Sequence, residues 1–126
     1  MAFAVQDLLA PTGPDAVRAR LASGVVFHSP VADYAGRDDV AHLLVAIGRT
    51  IEGIRPGREY VAESRSACEF TGDVGGRPVD GVLIQQIDAA GLVEEATLLV
   101  RPLAELRAAV ARMRELLAAD PLPSQR

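Results

Sequence analysis

At 126 residues the chain has the length of one domain, enough to bury a real core and too little for two. Its 49% hydrophobic and 24% charged residues exclude disorder, and a net charge of -4 argues against a partner whose phosphates must be neutralised, so no nucleic acid is expected. No apolar run approaches the roughly 20 residues that cross a bilayer, and Met1 to Pro11 has no basic n-region and contains Asp7, so no membrane association and a cytoplasmic location are expected.

Ala10-Pro11-Thr12-Gly13 reads as a break. Pro14 then suits the first turn of a short helix through Val17 and Leu21, because its missing N–H would lack a partner there anyway. Val25 to Ser29 has strand character, ended by Pro30. A longer helix is predicted from about Arg37 to Ile51, with Val40, Leu43, Leu44, Ile47 and Ile51 at spacings of three and four and Asp38 and Asp39 in its first turn. Gly53 to Gly57, with Pro56, reads as the loop that follows.

Four strands are then expected: Arg58 to Ala62, Ser66 to Val74, Pro78 to Ile87 and Leu92 to Arg101. Gly75-Gly76 and Asp88-Ala89-Ala90-Gly91 supply hairpin chemistry, and links this short make neighbouring strands antiparallel. A last helix, Pro102 to about Ala119, presents Leu103, Leu106, Val110, Met113 and Leu117 as one apolar stripe, and the segment from Asp120 to Arg126 reads as a frayed tail. A single domain over residues 1–126 is expected, with its core at about 16–119.

Helices followed by a curved meander, together with Phe27-His28-Ser29-Pro30, Tyr34-Ala35-Gly36-Arg37-Asp38, Gly75 to Gly81 and Leu99-Val100-Arg101-Pro102-Leu103, resemble the nuclear transport factor 2-like superfamily in its SnoaL-like branch. The likeness spans roughly Ala16 to Met113. It implies an α+β fold: a cone-shaped, curved antiparallel sheet (an α+β barrel) packed against N-terminal helices, with a C-terminal helix and a largely apolar cavity open at one end. It also implies pairing of two copies through the outer sheet face. Isomerases, epoxide hydrolases, dehydratases, polyketide cyclases and non-catalytic members share this fold, so it does not fix function.

Strand parity turns the resemblance into named positions. If Ser29 faces inward, so do Phe27 and Val25, and His28 faces out. The other inward sets are Ser66, Cys68 and Phe70, then Gly81, Leu83, Gln85 and Ile87, then Glu94, Ala96, Leu98 and Val100. The expected ligand pocket is therefore Phe27, Ser29, Tyr34, Ser66, Cys68, Phe70, Leu83, Gln85, Glu94, Ala96, Leu98 and Val100. Ketosteroid isomerases carry an aspartate base and a protonated acid where this chain has Ser29 and Leu83. Limonene epoxide hydrolases need an Asp-Arg-Asp set where it has Cys68, Ser66 and Leu98. Neither mechanism is supported by these residues.

Several residues admit two readings. Glu94 is either an inward carboxylate whose burial raises its pKa or a hydrated strand-end residue, and Tyr34 either aims its hydroxyl at a ligand or caps the core. With these two as candidates for proton transfer, the catalytic residues stay open. His28 reads as a surface or interface residue, and Cys68 as an inert buried thiol in place of a nucleophile. Gln85 either orients a ligand or bonds Ser66 or a water. Arg101 reads as a structural tie, and Asp80 as a partner of Arg77 in an exposed pair. Two histidines and one cysteine without ligand spacing, and a Gly72 to Gly76 stretch that joins two strands, lead us to expect no metal and no cofactor.

The outward set Val82, Ile84, Thr97 and Leu99, with Ala67, makes an apolar strip that a second copy would cover, so a homodimer is expected. The leading expectation is a pocket protein for a small, mainly apolar molecule, without a recognised acid/base set. The alternatives are a cyclase- or isomerase-type enzyme working through Glu94 or Tyr34, and a non-catalytic assembly subunit whose cavity is filled.

Overall fold

A computed structural model describes residues 3–9 and 13–126; most of the break read at Ala10 to Gly13 lies outside them. Two short helices, α1 (Val5–Leu8) and α2 (Pro14–Arg18), precede β1 (Leu21–His28), β2 (Asp33–Ala35) and the helix α3 (Arg37–Thr50). Then come β3 (Glu52–Ala62), β4 (Arg65–Val74), β5 (Arg77–Ile87), β6 (Val93–Arg101) and the helix α4 (Leu103–Ala119). The six strands form one open sheet in the order β2-β1-β6-β5-β4-β3. β1 runs parallel to β6, a pairing that turn chemistry cannot specify, and the other pairs are antiparallel.

The hairpins follow from backbone chemistry. Gly75 and Gly76 both adopt positive φ, 58° and 79°, as a two-residue turn between twisted strands requires. The expected loop at Gly53 to Gly57 is instead part of β3, whose register against β4 shifts twice, between Glu52 and Arg55 and between Pro56 and Glu59. An edge strand tolerates Pro56 and absorbs the irregularities as bends, which a turn-residue reading mistakes for an exit from structure. β1 begins at Leu21, where the sequence placed the end of a helix, because Leu21 pairs with Val93 and the Val93 N–H bonds the Arg20 carbonyl. The run Ser23-Gly24 within it has no apolar alternation to announce a strand.

One face of the sheet carries the core. Val25 and Phe27 from β1, Val40, Leu43 and Leu44 from α3, Phe70 from β4, Leu83 from β5 and Leu98 from β6 are at most 2% exposed. α4 lies differently: Ala109 is its one buried residue, Leu106, Val110, Met113 and Leu117 are half-buried, and Leu103 falls off the stripe at 59% exposure. The segment after α4 is docked and not frayed. Leu122 is buried, Pro123–Gln125 forms a 3-10 turn, and the Ser124 N–H donates to Asp39 Oδ1 at the start of α3, 2.9 Å away.

Candidate functional site

The half-buried stripe of α4 lies over a hollow of about 350 Å³. Leu43, Ile47 and Ile51 of α3 and its C-terminus form one wall, Leu98 and Val100 of β6 a second, and Leu106, Val110, Met113 and Leu117 of α4 a third. The turn between β1 and β2 contributes Ser29, Pro30 and Val31, and β2 contributes Tyr34. Val31 is 63% exposed, which places this turn at the mouth.

Polar groups around the hollow are few, and two are already engaged. Ser29 Oγ accepts the N–H groups of Val31 and Ala32, at 3.2 and 3.0 Å, and donates to the Ala32 carbonyl at 2.9 Å. This hydroxyl holds its own turn, a local bond pattern that serine favours. Thr50 Oγ1 donates back to the Ala46 carbonyl at 2.9 Å, with Met113 Sδ 3.3 Å away. Tyr34 and Arg114 are the remaining polar contributors, and among the described residues no carboxylate and no histidine lines the cavity.

The residues singled out by parity divide into two groups. Ser29, Tyr34, Leu98 and Val100 line the hollow. Phe27, Ser66, Cys68, Phe70, Leu83, Gln85 and Ala96 face the same side of the sheet but are buried in packed core away from it. Alternation identifies which side a residue takes, and large neighbours decide whether space is left there. Phe70 and Leu83 are fully buried on β4 and β5, and the hollow opens instead between the end of β6 and the two helices. Its helical lining, Ile47, Thr50, Ile51, Met113 and Arg114 included, was not foreseen; the one available signal was an α4 stripe with no second helix matched to it.

Glu94 is corrected outright: it is exposed and does not line the cavity. Gln86 pairs with Glu95 but Ile87 pairs with Val93, so Glu94 is the extra residue of a β-bulge. Val93 takes the buried place, and Glu94 turns to solvent. Gln85 does not face a ligand either. Its Oε1 accepts the Phe3 N–H at 3.0 Å and its Nε2 donates to the Phe3 carbonyl at 2.7 Å, a pair of bonds that fastens the N-terminal segment to the sheet. Ser66 Oγ, expected as a possible partner of Gln85, has no hydrogen-bond partner among the described residues.

Burial pushes the Cys68 thiol above its ordinary pKa, and the nearby Glu59 charge adds to this, so the neutral and weakly nucleophilic form prevails. His28 does face outward, where its Nδ1 lies 2.7 Å from Asp33 Oδ1 and its Nε2 2.9 Å from Glu95 Oε2. Hydrogen bonds to Asp33 and then to Glu95 raise its pKa, and the ring links β2 to β6 across β1. Asp80 pairs with Arg101, its cross-strand neighbour, at 2.9 Å and not with Arg77. Among the described residues, no group of three or more His, Cys, Asp or Glu side chains could hold a metal ion. No helix is long and apolar enough to cross a membrane, among the same residues.

Solved structures place this architecture among known folds. A protein of Silicibacter pomeroyi, described as uncharacterized, conserved in bacteria and cystatin-like in fold, superposes with a TM-score of 0.86 at 26% identity, over 92% of this chain and 84% of that one. A steroid delta-isomerase of Pseudomonas aeruginosa does so with a TM-score of 0.82 at 27% identity, over 89% of this chain and 85% of that one. An NTF2-like protein of unknown function from Mesorhizobium loti matches with a TM-score of 0.62 at 24% identity, over 71% and 78% of the two chains. No family model and no curated protein sequence matches the chain.

Proposed function

Proceeding from a chain that belongs to the nuclear transport factor 2-like superfamily by its fold, we propose that it is a SnoaL-like pocket protein that binds a small, mainly apolar molecule between α3, β6 and α4. The observation that carries this reading is the lining of the hollow: aliphatic side chains and a methionine on three walls, the Ser29 and Thr50 hydroxyls already bonded within the protein, and no carboxylate among the described residues. Such a site offers desolvation and shape, which hold an apolar body, but no base placed to remove a carbon-bound proton.

The likeness to a steroid delta-isomerase favours the enzyme alternative. Of its two candidate groups, Glu94 lies outside the cavity, and Tyr34 brings a hydroxyl without a carboxylate beside it on the lining. That leaves a hydrogen-bond donor without a base, and binding is the better-supported function. A hollow of about 350 Å³ likewise counts against the assembly reading, which needs a filled interior.

Calorimetric titration with 1-octanol tests the reading. One molecule is expected to bind per chain, and Val110→Trp, whose indole would occupy the hollow from α4, is expected to weaken binding by about tenfold or more. Failure of the unmodified protein to bind, or equal binding by a correctly folded Val110→Trp variant, would reject this site.

The same proposal includes a homodimer through the outer sheet face. Val82 pairs with Leu99 and Ile84 with Thr97 across β5 and β6, and Leu99 and Tyr60 stand 53% and 50% exposed on or beside this strip. Ile84→Arg is expected to convert a two-chain particle into a one-chain particle by size-exclusion with light scattering. A dimer that survives the substitution would rule out this interface.

A further inference from the structure

We propose that the molecule taken by this pocket is an apolar carboxylate, its tail between α3, β6 and α4 and its anionic head held at the rim by Arg114. The inference rests on the pocket reading above and adds the chemical class of the ligand. Arg114 is the one charged residue that lines the hollow among the described residues. Its exposure places the guanidinium at the rim and not among the aliphatic walls.

Other polar groups leave the head little choice. The hydroxyls of Ser29 and Thr50 are committed to carbonyls of their own segments, so a ligand's polar end gains little by entering deeply. Buried against Leu98, Ile47 and Met113, an ionised head would be desolvated without a partner, a cost that keeps it at the mouth. There it meets Tyr34 and Arg114.

Arg114 combines its place on the lining with a guanidinium that no carboxylate neutralises. Arg112 is bonded to Glu115 at 3.2 Å, Arg101 to Asp80 at 2.9 Å and Arg126 to Asp120 at 3.1 Å, whereas no carboxylate pairs with Arg114 among the described residues. A guanidinium presents two parallel N–H donors that match the two oxygens of a carboxylate. Because the whole chain carries a net charge of -4, attraction of an anion here is a property of the rim and not of the overall field. A hollow of about 350 Å³ suits a small molecule.

Titration of octanoate, 1-octanol and octylamine into the intact protein at neutral pH and low salt separates this inference from the reading beneath it. Octanoate is expected to bind about fivefold tighter than 1-octanol, with octylamine the weakest, the scale of a solvent-exposed charge pair. Water solvates a carboxylate better than an alcohol, so this order runs against transfer tendency and requires a cation. In Arg114→Gln the order of octanoate and 1-octanol should reverse, and in Arg114→Glu octylamine should overtake octanoate. Both variants alter one exposed position on α4, so circular dichroism should show an unaltered fold. Tight binding of 1-octanol with no octanoate advantage, or an advantage that survives Arg114→Gln, would overturn the role of Arg114 and leave the pocket standing. Failure of all three probes to bind would overturn the pocket and this inference together.

Discussion

Gly81→Ala is expected to lower the stability of the fold by about 3 kcal/mol, seen in thermal unfolding as a fall of about 10 °C or more. Gly81 lies in the middle of β5, paired with Phe70 on one side and Val100 on the other. A β-carbon there would stand 2.6 Å from Phe70 Cζ and 2.8 Å from Cε2, and would also strike the Leu99 carbonyl oxygen. The Phe70 ring is 1% exposed, and the carbonyl belongs to a residue of the neighbouring strand β6. The cost is therefore steric overpacking in a core that behaves as a close-packed solid. Phe70→Leu added to Gly81→Ala should recover part of the loss, with a coupling of about 1 kcal/mol between the two sites. Strict additivity would show that the ring is not what the β-carbon meets.

Gln85→Leu should cost about 2 kcal/mol although it nearly conserves volume, because it leaves the Phe3 N–H and carbonyl without the two bonds they make at 3.0 and 2.7 Å. Its more telling signature is local. Phe3 also lies under the Arg20 guanidinium, 5.7 Å from ring centroid to carbon, and leads directly into α1. Amide exchange across Val5 to Leu9 should accelerate by about tenfold or more, while α4 exchanges as before. Unchanged exchange in α1 would mean that the burial of Val5, Leu8 and Leu9 alone holds the segment in place.

These two glycine and glutamine positions also show how far the sequence could be read. Alternation along β4 and β5 correctly gave Ser66, Cys68, Phe70, Gly81, Leu83 and Gln85 one side of the sheet, because both strands pair in unbroken register from Arg65 to Val74. α3 was legible for a similar reason: its apolar spacing continues until Thr50 and the chain leaves in extended conformation at Ile51. Where register breaks, the same logic fails. A one-residue bulge exchanged the places expected of Val93 and Glu94, and two shifts in β3 let Pro56 and Gly57 sit inside a strand.

The cavity was harder to locate than the sheet. Parity says which side chains share a face, but occupied volume depends on contacts between residues distant in sequence, such as Phe70 over Gly81 and Phe3 on Gln85. Those contacts close the interior along β4 and β5 and leave space where α4 meets α3. On a helical pattern Arg114 is one more solvated charge; its relation to the pocket exists only once α4 is laid across β6.

Intermolecular nuclear Overhauser effects between bound 1-octanol and the methyl groups of the protein test the pocket most directly. Cross-peaks to Ile47, Leu98 and Met113, lost in Val110→Trp, are the predicted result. Cross-peaks to Val82 and Leu99 on the opposite face of the sheet, with none to those three residues, would contradict it.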